Sequence, residues 1–363
     1  MNKIRVLNVS GSPYDMGYKH GQTYREDIRF FTEDRVKLCM SDTWTGRKLS
    51  RAAVIDLAEA CVTEHRAYAP ELMDELQGIA DATDLSLAEL IITNGYTDFI
   101  DTIYRVGDPS QSPAATQHMA DNCTAFLVPN EAAVDGQAMY GQTWDMHDSA
   151  TPFVIVLHGQ PDDAPEFLSF TITGCVGMIG MNEHGIAVGI NNLSGGDGQI
   201  GVTWPFVIRK MLAQDNIDDA LECLTSAKLA GAHNYLLMDR EGNGYNVEAM
   251  STRHHIDRLE AEPIVHTNHC LIDDNREVQR YRAPESMAAS IKRHERGQEL
   301  LSQRPVTPEL LMEVTRDAEA ICVSSTPPMH VESSGAAIMR PATGDFWAVW
   351  GLPAENEYEH FTL

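Results

Sequence analysis

The sequence contains few basic residues for its length. Lys and Arg together number 27, against 53 Asp and Glu, so the 363-residue chain has a formal net charge of −26 at pH 7. A charge of this sign repels nucleic acid and anionic membrane surfaces, so we expect neither as a partner. An acidic surface favours solubility and does not by itself identify a substrate.

Long apolar runs and closely spaced cysteines are also missing. No stretch approaches the roughly 18 apolar residues that a membrane-spanning helix requires, and the N-terminal residues MNKIRVLNVSGSPYDMG lack the apolar core of a signal peptide. We therefore expect a cytoplasmic protein. The seven cysteines are odd in number, widely separated and without a CxxC pair, which indicates neither a disulfide framework nor a zinc site. Most of them, including Cys61, are expected in the core.

The hydrophobic content of 43% is sufficient for a large core. Between about residues 22 and 104, apolar residues recur at spacings of three and four, which predicts amphipathic helices. Pro70 suits the first turn of one of these helices, and the region 84–86 supplies a cap for the next. The polar segment 107–122 has no periodicity and predicts an exposed connector.

The pattern changes after Cys123. Short apolar or alternating segments, separated by turn sequences such as VDG and NEHG, predict antiparallel strands joined by hairpins. Amphipathic helical patterns return at 203–214, 216–228, 286–302 and 306–319. Strands bracketed by pairs of helices predict two sheets packed face to face with helices outside, which is a layered α+β fold.

Cys123 follows the polar connector, between Asn122 and Thr124. If the peptide bond before it were broken, the thiol and a new α-amino group would belong to one residue. Reference pKa values are about 7.7 to 8.0 for the amine and about 8.5 for the thiol, so the amine can accept the thiol proton at neutral pH. This is the arrangement of an N-terminal nucleophile. A buried structural cysteine would fit the same residues, and the residues alone leave both interpretations open.

Five motifs extend this interpretation: GSPYDMGYKHG, DNCTAF, GQTWDMH, GMIGMNEHGIAVGINNL and VHTNHC. With these motifs in this order, the chain resembles the acyl-coenzyme A:6-aminopenicillanic acid acyltransferase family of autoproteolytic N-terminal-nucleophile hydrolases, cysteine peptidase family C45, from about residue 7 to about residue 350. The resemblance implies an αββα sandwich of two antiparallel sheets and self-cleavage between Asn122 and Cys123. It also implies a mostly helical chain, 1–122, that stays associated with a catalytic chain, 123–363, in one domain. A homo-oligomer is compatible with it.

The same resemblance implies roles for three residues. Cys123 would be the nucleophile in self-cleavage and turnover, Asp145 would hold the freed α-amine, and Asn268 would donate its side-chain amide to the oxyanion. A carboxylate orients a neighbouring ammonium, and fixed neutral donors stabilise an oxyanion. By residue type alone, Asp145 would equally cap a turn, and Asn268 between two histidines would suit a turn or a metal site. Because no third ligand follows at a suitable spacing, we expect no metal.

Five further residues are candidates for substrate binding, and they are Met146, His147, Asn191, Ser333 and Ser334. The segment with Asn191 matches a strand that lines the acyl pocket in the family, although a structural role at a strand end fits equally. The residues after Asp145 are aromatic in the penicillin-making enzyme, so Met146 and His147 predict a more polar site. That enzyme has a Ser-Arg pair where this chain has two serines, and the missing guanidinium argues against penicillin synthesis here.

The N-terminal motif GYKHG contains His20, which we expect to be structural because glycines beside it allow a close approach of backbone. Asn122 stands where the penicillin-making enzyme has glycine, a change that could slow self-cleavage.

These observations predict an autoproteolytic enzyme that hydrolyses or transfers the acyl group of a small N-acylated amine, amino acid or acyl thioester through a Cys123 acyl-enzyme. No cofactor is required. We favour hydrolysis because water is always present and the sequence has no phosphate-binding glycine loop. An acyl-coenzyme A-dependent N-acyltransferase using the same site is the close alternative. An unprocessed, non-catalytic binding scaffold is the alternative of another class.

Overall fold

The computed structural model describes residues 3–106 and 122–363. Within these residues the chain forms twelve α-helices, which are α1 (Pro13–Thr23), α2 (Arg25–Met40), α3 (Asp42–Thr45), α4 (Arg51–Tyr68), α5 (Pro70–Thr83), α6 (Leu87–Thr93), α7 (Tyr96–Val106), α8 (Trp204–Met211), α9 (Ile217–Thr225), α10 (Asp273–Arg276), α11 (Pro284–Leu301) and α12 (Pro308–Arg316).

The same residues form fourteen strands, which are β1 (Arg5–Gly11), β2 (Thr124–Val128), β3 (Met139–His147), β4 (Val154–Pro161), β5 (Phe167–Ile172), β6 (Ile179–Asn182), β7 (Ala187–Asn192), β8 (His233–Met238), β9 (Gly244–Ala249), β10 (His254–Arg258), β11 (Ile264–His266), β12 (Val331–Arg340), β13 (Asp345–Trp350) and β14 (Glu359–Thr362). They make an eight-stranded sheet, in the order β1-β4-β5-β6-β7-β8-β9-β10, and a six-stranded sheet, in the order β11-β2-β3-β12-β13-β14.

Alternate residues of a strand point to opposite faces of the sheet. Both faces of the six-stranded sheet carry apolar residues. Phe126 and Val128 pack against Leu301 of α11 and Leu311 of α12. Ala125 and the other residues of the opposite face belong to the main core, together with β4 to β8 of the eight-stranded sheet. The two sheets therefore pack face to face, with α11 and α12 covering the outer side of the smaller one.

The outer side of the eight-stranded sheet is covered in the same way. Val9 of β1 and Leu157 of β4 pack against Met16 of α1, and α8 packs against β7. The helix–sheet–sheet–helix order of layers confirms the predicted α+β sandwich.

Local sequence sets the helix boundaries. Pro70 occupies the first turn of α5, as predicted. Ser86 caps α6 through a capping box, in which its hydroxyl accepts from the Glu89 backbone and the Glu89 carboxylate accepts from the Ser86 backbone. In α1, a side chain at Gly17 would collide with the backbone of Glu75 in α5, so only glycine allows the two helices to approach this closely.

The first strand was not predicted, and it corrects the expectation of purely antiparallel sheets. β1 pairs with β4 in parallel, from Arg5 opposite Ile155 to Gly11 opposite Pro161, whereas the other pairs of named strands are antiparallel. A parallel pair needs a long crossover between its strands, and the helices of the N-terminal segment lie within that crossover. Of the predicted connector, residues 107–121 lie outside the described part of the chain.

No helix in the described ranges is both long and apolar enough to cross a membrane.

Candidate active site

Strand pairing brings Cys123 and Asn268 together from distant parts of the chain. In the antiparallel pair of β11 with β2, His266 lies opposite Ala125. Asn268 follows the end of β11 by two residues, and Cys123 immediately precedes β2. The two candidates therefore lie beside each other at the same end of this antiparallel ladder. Both are buried, and Cys123 is 4% exposed.

The buried guanidinium of Arg293, on α11, joins these two residues. Its Nη1 lies 2.5 Å from the Cys123 carbonyl oxygen and 3.3 Å from the Thr124 hydroxyl. Its Nη2 donates to Oδ1 of Asn268 at 3.0 Å. A guanidinium has donors in a rigid fork, so this contact fixes the main chain at Cys123 and the Asn268 amide relative to each other.

The orientation of the Asn268 amide is determined on both sides. Its Oδ1 is occupied by Arg293, and its Nδ2 donates to the carbonyl oxygen of Asn192 at 3.0 Å. The Asn268 backbone N–H also donates to the Ser290 hydroxyl at 3.0 Å. Because an amide nitrogen carries two hydrogens, Nδ2 retains one N–H for a further acceptor such as an oxyanion.

Asp145 contacts the candidate nucleophile through its main chain. Thr124 lies opposite Thr143 in the pair of β2 with β3, so Asp145 is close to Cys123 across the ladder. The Asp145 N–H lies 3.4 Å from the Cys123 sulfur, and its carbonyl oxygen 3.7 Å. The Asp145 side chain is buried. Burial of the nearby Cys322 thiol raises the pKa of that thiol, and the Asp145 charge raises it further.

Ser333 and Ser334 lie beside Asp145 but contact different partners. Ser333 pairs with Asp145 in the ladder between β12 and β3, just before a bulge. Its hydroxyl accepts from the Val323 N–H at 3.0 Å. The Ser334 hydroxyl accepts from Thr151 at 2.9 Å. Both serines are buried, so the structure places Ser333 next to Asp145 and turns Ser334 towards Thr151.

Asn191 lies on the β7 face that meets β3. A side chain at Gly189, two residues earlier on the same face, would collide with the Tyr140 hydroxyl. Asn191 is completely buried, and neither polar atom of its amide has a hydrogen-bond partner in the described part of the chain. Its neighbour Asn192 supplies the carbonyl that accepts from Asn268.

Met146 and His147 continue β3 beyond Asp145. Met146 lines a cavity with Trp144 and Tyr96. His147 packs edge-on against Trp44, with ring centres 4.5 Å apart. Burial, assisted by the Arg35 charge, lowers the pKa of His147 to about 3, so its ring is neutral at pH 7.

The remaining histidines of the motifs have structural partners. His20 is buried, and its Nε2 accepts from the Gly174 N–H at 3.0 Å, in line with the expected structural role. The Nε2 of His266 lies 3.1 Å from the Glu248 carboxylate, and the Nδ1 of His269 lies 2.8 Å from the Ser290 hydroxyl. Within residues 3–106 and 122–363, no group of three or more ligand-type side chains is arranged to hold a metal.

Comparison with known proteins identifies the family of the chain. Residues 133–352 match the family described as acyl-coenzyme A:6-aminopenicillanic acid acyl-transferase. The chain belongs to this acyl-transferase family. The acyl-transferase match starts ten residues after Cys123 and includes Asp145 and Asn268.

Two relatives extend the comparison beyond that region. The 40 kDa form of acyl-coenzyme A:6-aminopenicillanic-acid-acyltransferase from Emericella nidulans is 24% identical over 318 residues, which cover 86% of this chain and 82% of that protein. An uncharacterized protein of Archaeoglobus fulgidus is 24% identical over 255 residues. That alignment covers 65% of this chain and only 41% of the archaeal protein.

Two solved structures are similar to part of the chain. A mutant conjugated bile acid hydrolase from Clostridium perfringens superimposes with a TM-score of 0.43 and 13% identity, covering 66% of this chain and 97% of that one. Penicillin V acylase from Agrobacterium tumefaciens gives a TM-score of 0.42 and 11% identity, covering 66% and 86%.

Sequence reasoning missed Arg293 in this acyl-transferase family member. An arginine in a helical pattern is normally placed on the solvent side. A signal was nevertheless present, because α11 buries Ser290, Arg293, Gly297 and Leu301, which are spaced by three, four and four residues. An arginine in such a stripe, beside a serine and a glycine, indicates a buried charge with a specific partner.

Proposed function

We propose that the protein is a self-processing enzyme that hydrolyses small N-acylated amines or amino acids through an acyl-enzyme on Cys123. The observation that carries the proposal is the Arg293 guanidinium, which donates to both the Cys123 carbonyl and the Asn268 side chain. Membership in an acyl-transferase family supports acyl transfer as the reaction. The particular substrate and the nucleophile are our inference.

Self-processing would use the Cys123 thiol. The sulfur would attack the carbonyl carbon of Asn122, the peptide C–N bond would break, and the α-amino group of Cys123 would be released as the acyl group moves to sulfur. Water would then hydrolyse this thioester. The products would be the chains 1–122 and 123–363, with a free thiol and a free amine on the same residue.

In turnover, the freed amine would accept the thiol proton, and the thiolate would attack the substrate amide carbon. The oxyanion would accept a hydrogen bond from the remaining N–H of Asn268 Nδ2. The C–N bond would then break, with the Cys123 amine returning its proton to the departing amine. Water would release the acid from the thioester. Asp145 would hold the Cys123 ammonium in place, because a carboxylate orients a neighbouring ammonium. What supports this role is that Asp145 lies next to Cys123, with its backbone N–H 3.4 Å from the sulfur.

The close alternative is transfer of the acyl group from acyl-coenzyme A to an amine at the same site, and the description of the family favours it. We prefer hydrolysis because the net charge of −26 disfavours a polyphosphate substrate. Release of free coenzyme A only when an amine is added would favour the transferase instead.

Intact mass spectrometry under denaturing conditions tests self-processing. We expect two species from the wild-type chain, divided between Asn122 and Cys123, and a single species of about 40.2 kDa from Cys123→Ala. The control is Cys61→Ala, which removes another buried thiol and should be processed like the wild type. A wild-type protein that stays at full mass and lacks acyl amide turnover would instead support the binding scaffold.

Turnover is tested by incubating the processed enzyme with a panel of N-acyl amines and N-acyl amino acids. Hydrolysis is expected from the wild type and from Cys61→Ala. Full activity in purified Cys123→Ala would be incompatible with the mechanism.

A further inference from the structure

A narrow cavity of about 30 Å³ lies next to the candidate active site. Trp144 and Met146 form part of its wall, and they flank Asp145, whose main chain contacts the Cys123 sulfur. The opposite wall includes Arg35 from α2 and Tyr96 from the start of α7. The cavity wall is therefore one residue along β3 from Asp145, the residue whose main chain contacts the proposed nucleophile.

Arg35 is a buried cation, only 1% exposed. Its Nη2 donates to Oδ2 of Asp34 at 2.6 Å and to the Ser149 hydroxyl at 2.9 Å, and its Nε lies 3.2 Å from the same carboxylate oxygen. Its Nη1 makes no hydrogen bond with any residue that the structure describes. The guanidinium lies over the rings of Phe31 and Tyr96, at 4.5 and 5.1 Å from their centres. Asp34 therefore occupies the Nε and Nη2 side of the Arg35 guanidinium, and the N–H donors of Nη1 remain on the other side.

Two more polar groups in this region lack partners. The Tyr96 hydroxyl is buried without a hydrogen bond to any described residue, and so are both ring nitrogens of His147. The His147 ring lies 5.8 Å from the Tyr96 ring. Buried polar groups are nearly always satisfied, so the unpartnered Tyr96 hydroxyl, which lines the cavity beside Arg35, indicates a place for a ligand that accepts hydrogen bonds.

Size and charge narrow the chemistry of that ligand. A cavity of about 30 Å³ has room for about two water molecules, taking about 10 to 15 Å³ for each. That space suits a compact group such as a carboxylate and excludes an aromatic ring. Arg35 contributes guanidinium donors, with a charge that Asp34 balances in part, and the Tyr96 hydroxyl contributes a neutral donor.

We propose that this cavity binds a carboxylate carried by the substrate, with Arg35 and Tyr96 as the residues that select it. The inference rests on the proposed function, because it defines the substrate class of the same site. The carboxylate could belong to the acyl part, as in a monoamide of a dicarboxylic acid, or to the amine part, as in an N-acyl amino acid. Both sources present the same group to the same donors.

The protonation states at neutral pH agree with such a ligand. Burial raises the pKa of Tyr96 well above its usual value, so its hydroxyl keeps the proton. His147, with its pKa lowered to about 3, is neutral and has one N–H to donate. The positive charge in this cluster therefore comes from Arg35.

The test compares two matched pairs of substrates with the processed enzyme. The first pair is adipic acid mono-p-nitroanilide and its methyl ester, which differ in a charge on the acyl part. The second pair is N-hexanoylglycine and N-hexanoylglycinamide, which differ in a charge on the amine part. We expect the charged member of one pair to have the higher kcat/KM, by about 10- to 100-fold, and that pair identifies the source of the carboxylate.

Variants then assign the preference to the cavity. Arg35→Gln should reduce the charged-over-neutral ratio towards one. Tyr96→Phe should lower it by about tenfold, and it removes only an unpartnered hydroxyl, so it should fold like the wild type. The control Arg29→Gln removes an exposed charge from the same helix and should leave the ratio unchanged.

A binding measurement separates this inference from the proposed function. Hexanoate should raise the melting temperature of the wild type more than the uncharged hexanamide does, and Arg35→Gln and Tyr96→Phe should lose that difference. Equal effects of the acid and its amide, or a wild type that prefers neutral substrates while Cys123→Ala is inactive, would overturn the inference and leave the proposed function standing. Selective stabilisation by hexanoate without any Cys123-dependent turnover would support the inference and overturn the proposed function.

Discussion

The side-chain oxygen of Asn268 accepts a hydrogen bond from Nη2 of Arg293, at 3.0 Å. This contact leaves the amide nitrogen of Asn268 as the end that can face a reacting carbonyl, because the oxygen is already occupied. The orientation of an amide cannot be told from its shape alone, and here a charged neighbour that can only donate determines it.

Replacing Arg293 tests whether it positions the site. We expect Arg293→Gln to lower kcat by about 10- to 100-fold with a smaller change in KM, because a charge-assisted hydrogen bond contributes about 1.5 to 3 kcal/mol. Arg293→Lys should recover only part of the activity, since an ammonium lacks the planar fork that reaches two acceptors. The exposed neighbour Lys292→Gln is the control on the same helix. An unchanged kcat in Arg293→Gln would show that Arg293 does not position the site.

Asn268 itself is expected to matter more for turnover than for self-cleavage. Removing one oxyanion donor lowers kcat by about 100- to 1,000-fold. We therefore expect Asn268→Ala to be processed into two chains, as seen by mass spectrometry, and to hydrolyse substrate at that lower rate. Asn192→Ala is a matched control, because Asn268 contacts only the main-chain carbonyl of Asn192. Equal loss in both variants would argue for a structural effect.

A buried ion pair gives a prediction about stability. Arg209 in α8 donates to the Glu75 carboxylate in α5 at 2.8 Å, and both side chains are buried. Arg209→Met leaves Glu75 buried without its cation, so the free energy of unfolding should fall by about 3 to 5 kcal/mol. The comparison is the exposed pair of Lys37 with Glu33, where Lys37→Met should cost less than about 1 kcal/mol. Urea denaturation of both variants measures the difference.

The buried His20 predicts a dependence of stability on pH. Burial lowers its pKa to about 4, from a usual value near 6.5, because a charged ring would lack its hydration in the protein interior. Below pH 6.5 the unfolded chain takes up a proton that the folded chain does not, so His20 lowers the stability as the pH falls from about 6.5 to about 4. Above about pH 6.5 this loss of stability is absent.

The variant His20→Gln should not show this component, because glutamine does not titrate while its oxygen can still accept from Gly174. We expect the loss of unfolding free energy between pH 7 and pH 4 to be smaller in the variant, by on the order of 3 kcal/mol. Denaturant titrations at several pH values measure it. Parallel pH profiles for the two proteins would contradict the assignment.

Sequence patterns predicted most of the fold, and two of the strands that they missed lie at the edges of the larger sheet. β10 is the sequence HHIDR at the edge of its sheet, with every residue exposed, so it has no alternation of apolar and polar residues to detect. β1 lies at the other edge, and its parallel partner β4 begins at residue 154, which a local pattern cannot identify.

Some residues of the site could be predicted from the sequence, and others could not. Cys123, Asp145 and Asn268 were predicted from motifs, and the structure brings all three to one end of the β2 ladders. Arg293 depends on which face of α11 meets the sheet, and Arg35 depends on how α2 approaches β3. Such long-range packing is not encoded in spacing along the chain.

The parallel pair of β1 and β4 has a consequence for a chain cut before Cys123. The N-terminal piece would still supply an edge strand to the larger sheet, and its helices would still pack against that sheet. A nicked molecule should therefore elute as one particle in native size-exclusion chromatography and separate into two polypeptides only after denaturation. Scission of the backbone would then add a reactive terminus without dismantling the architecture around it.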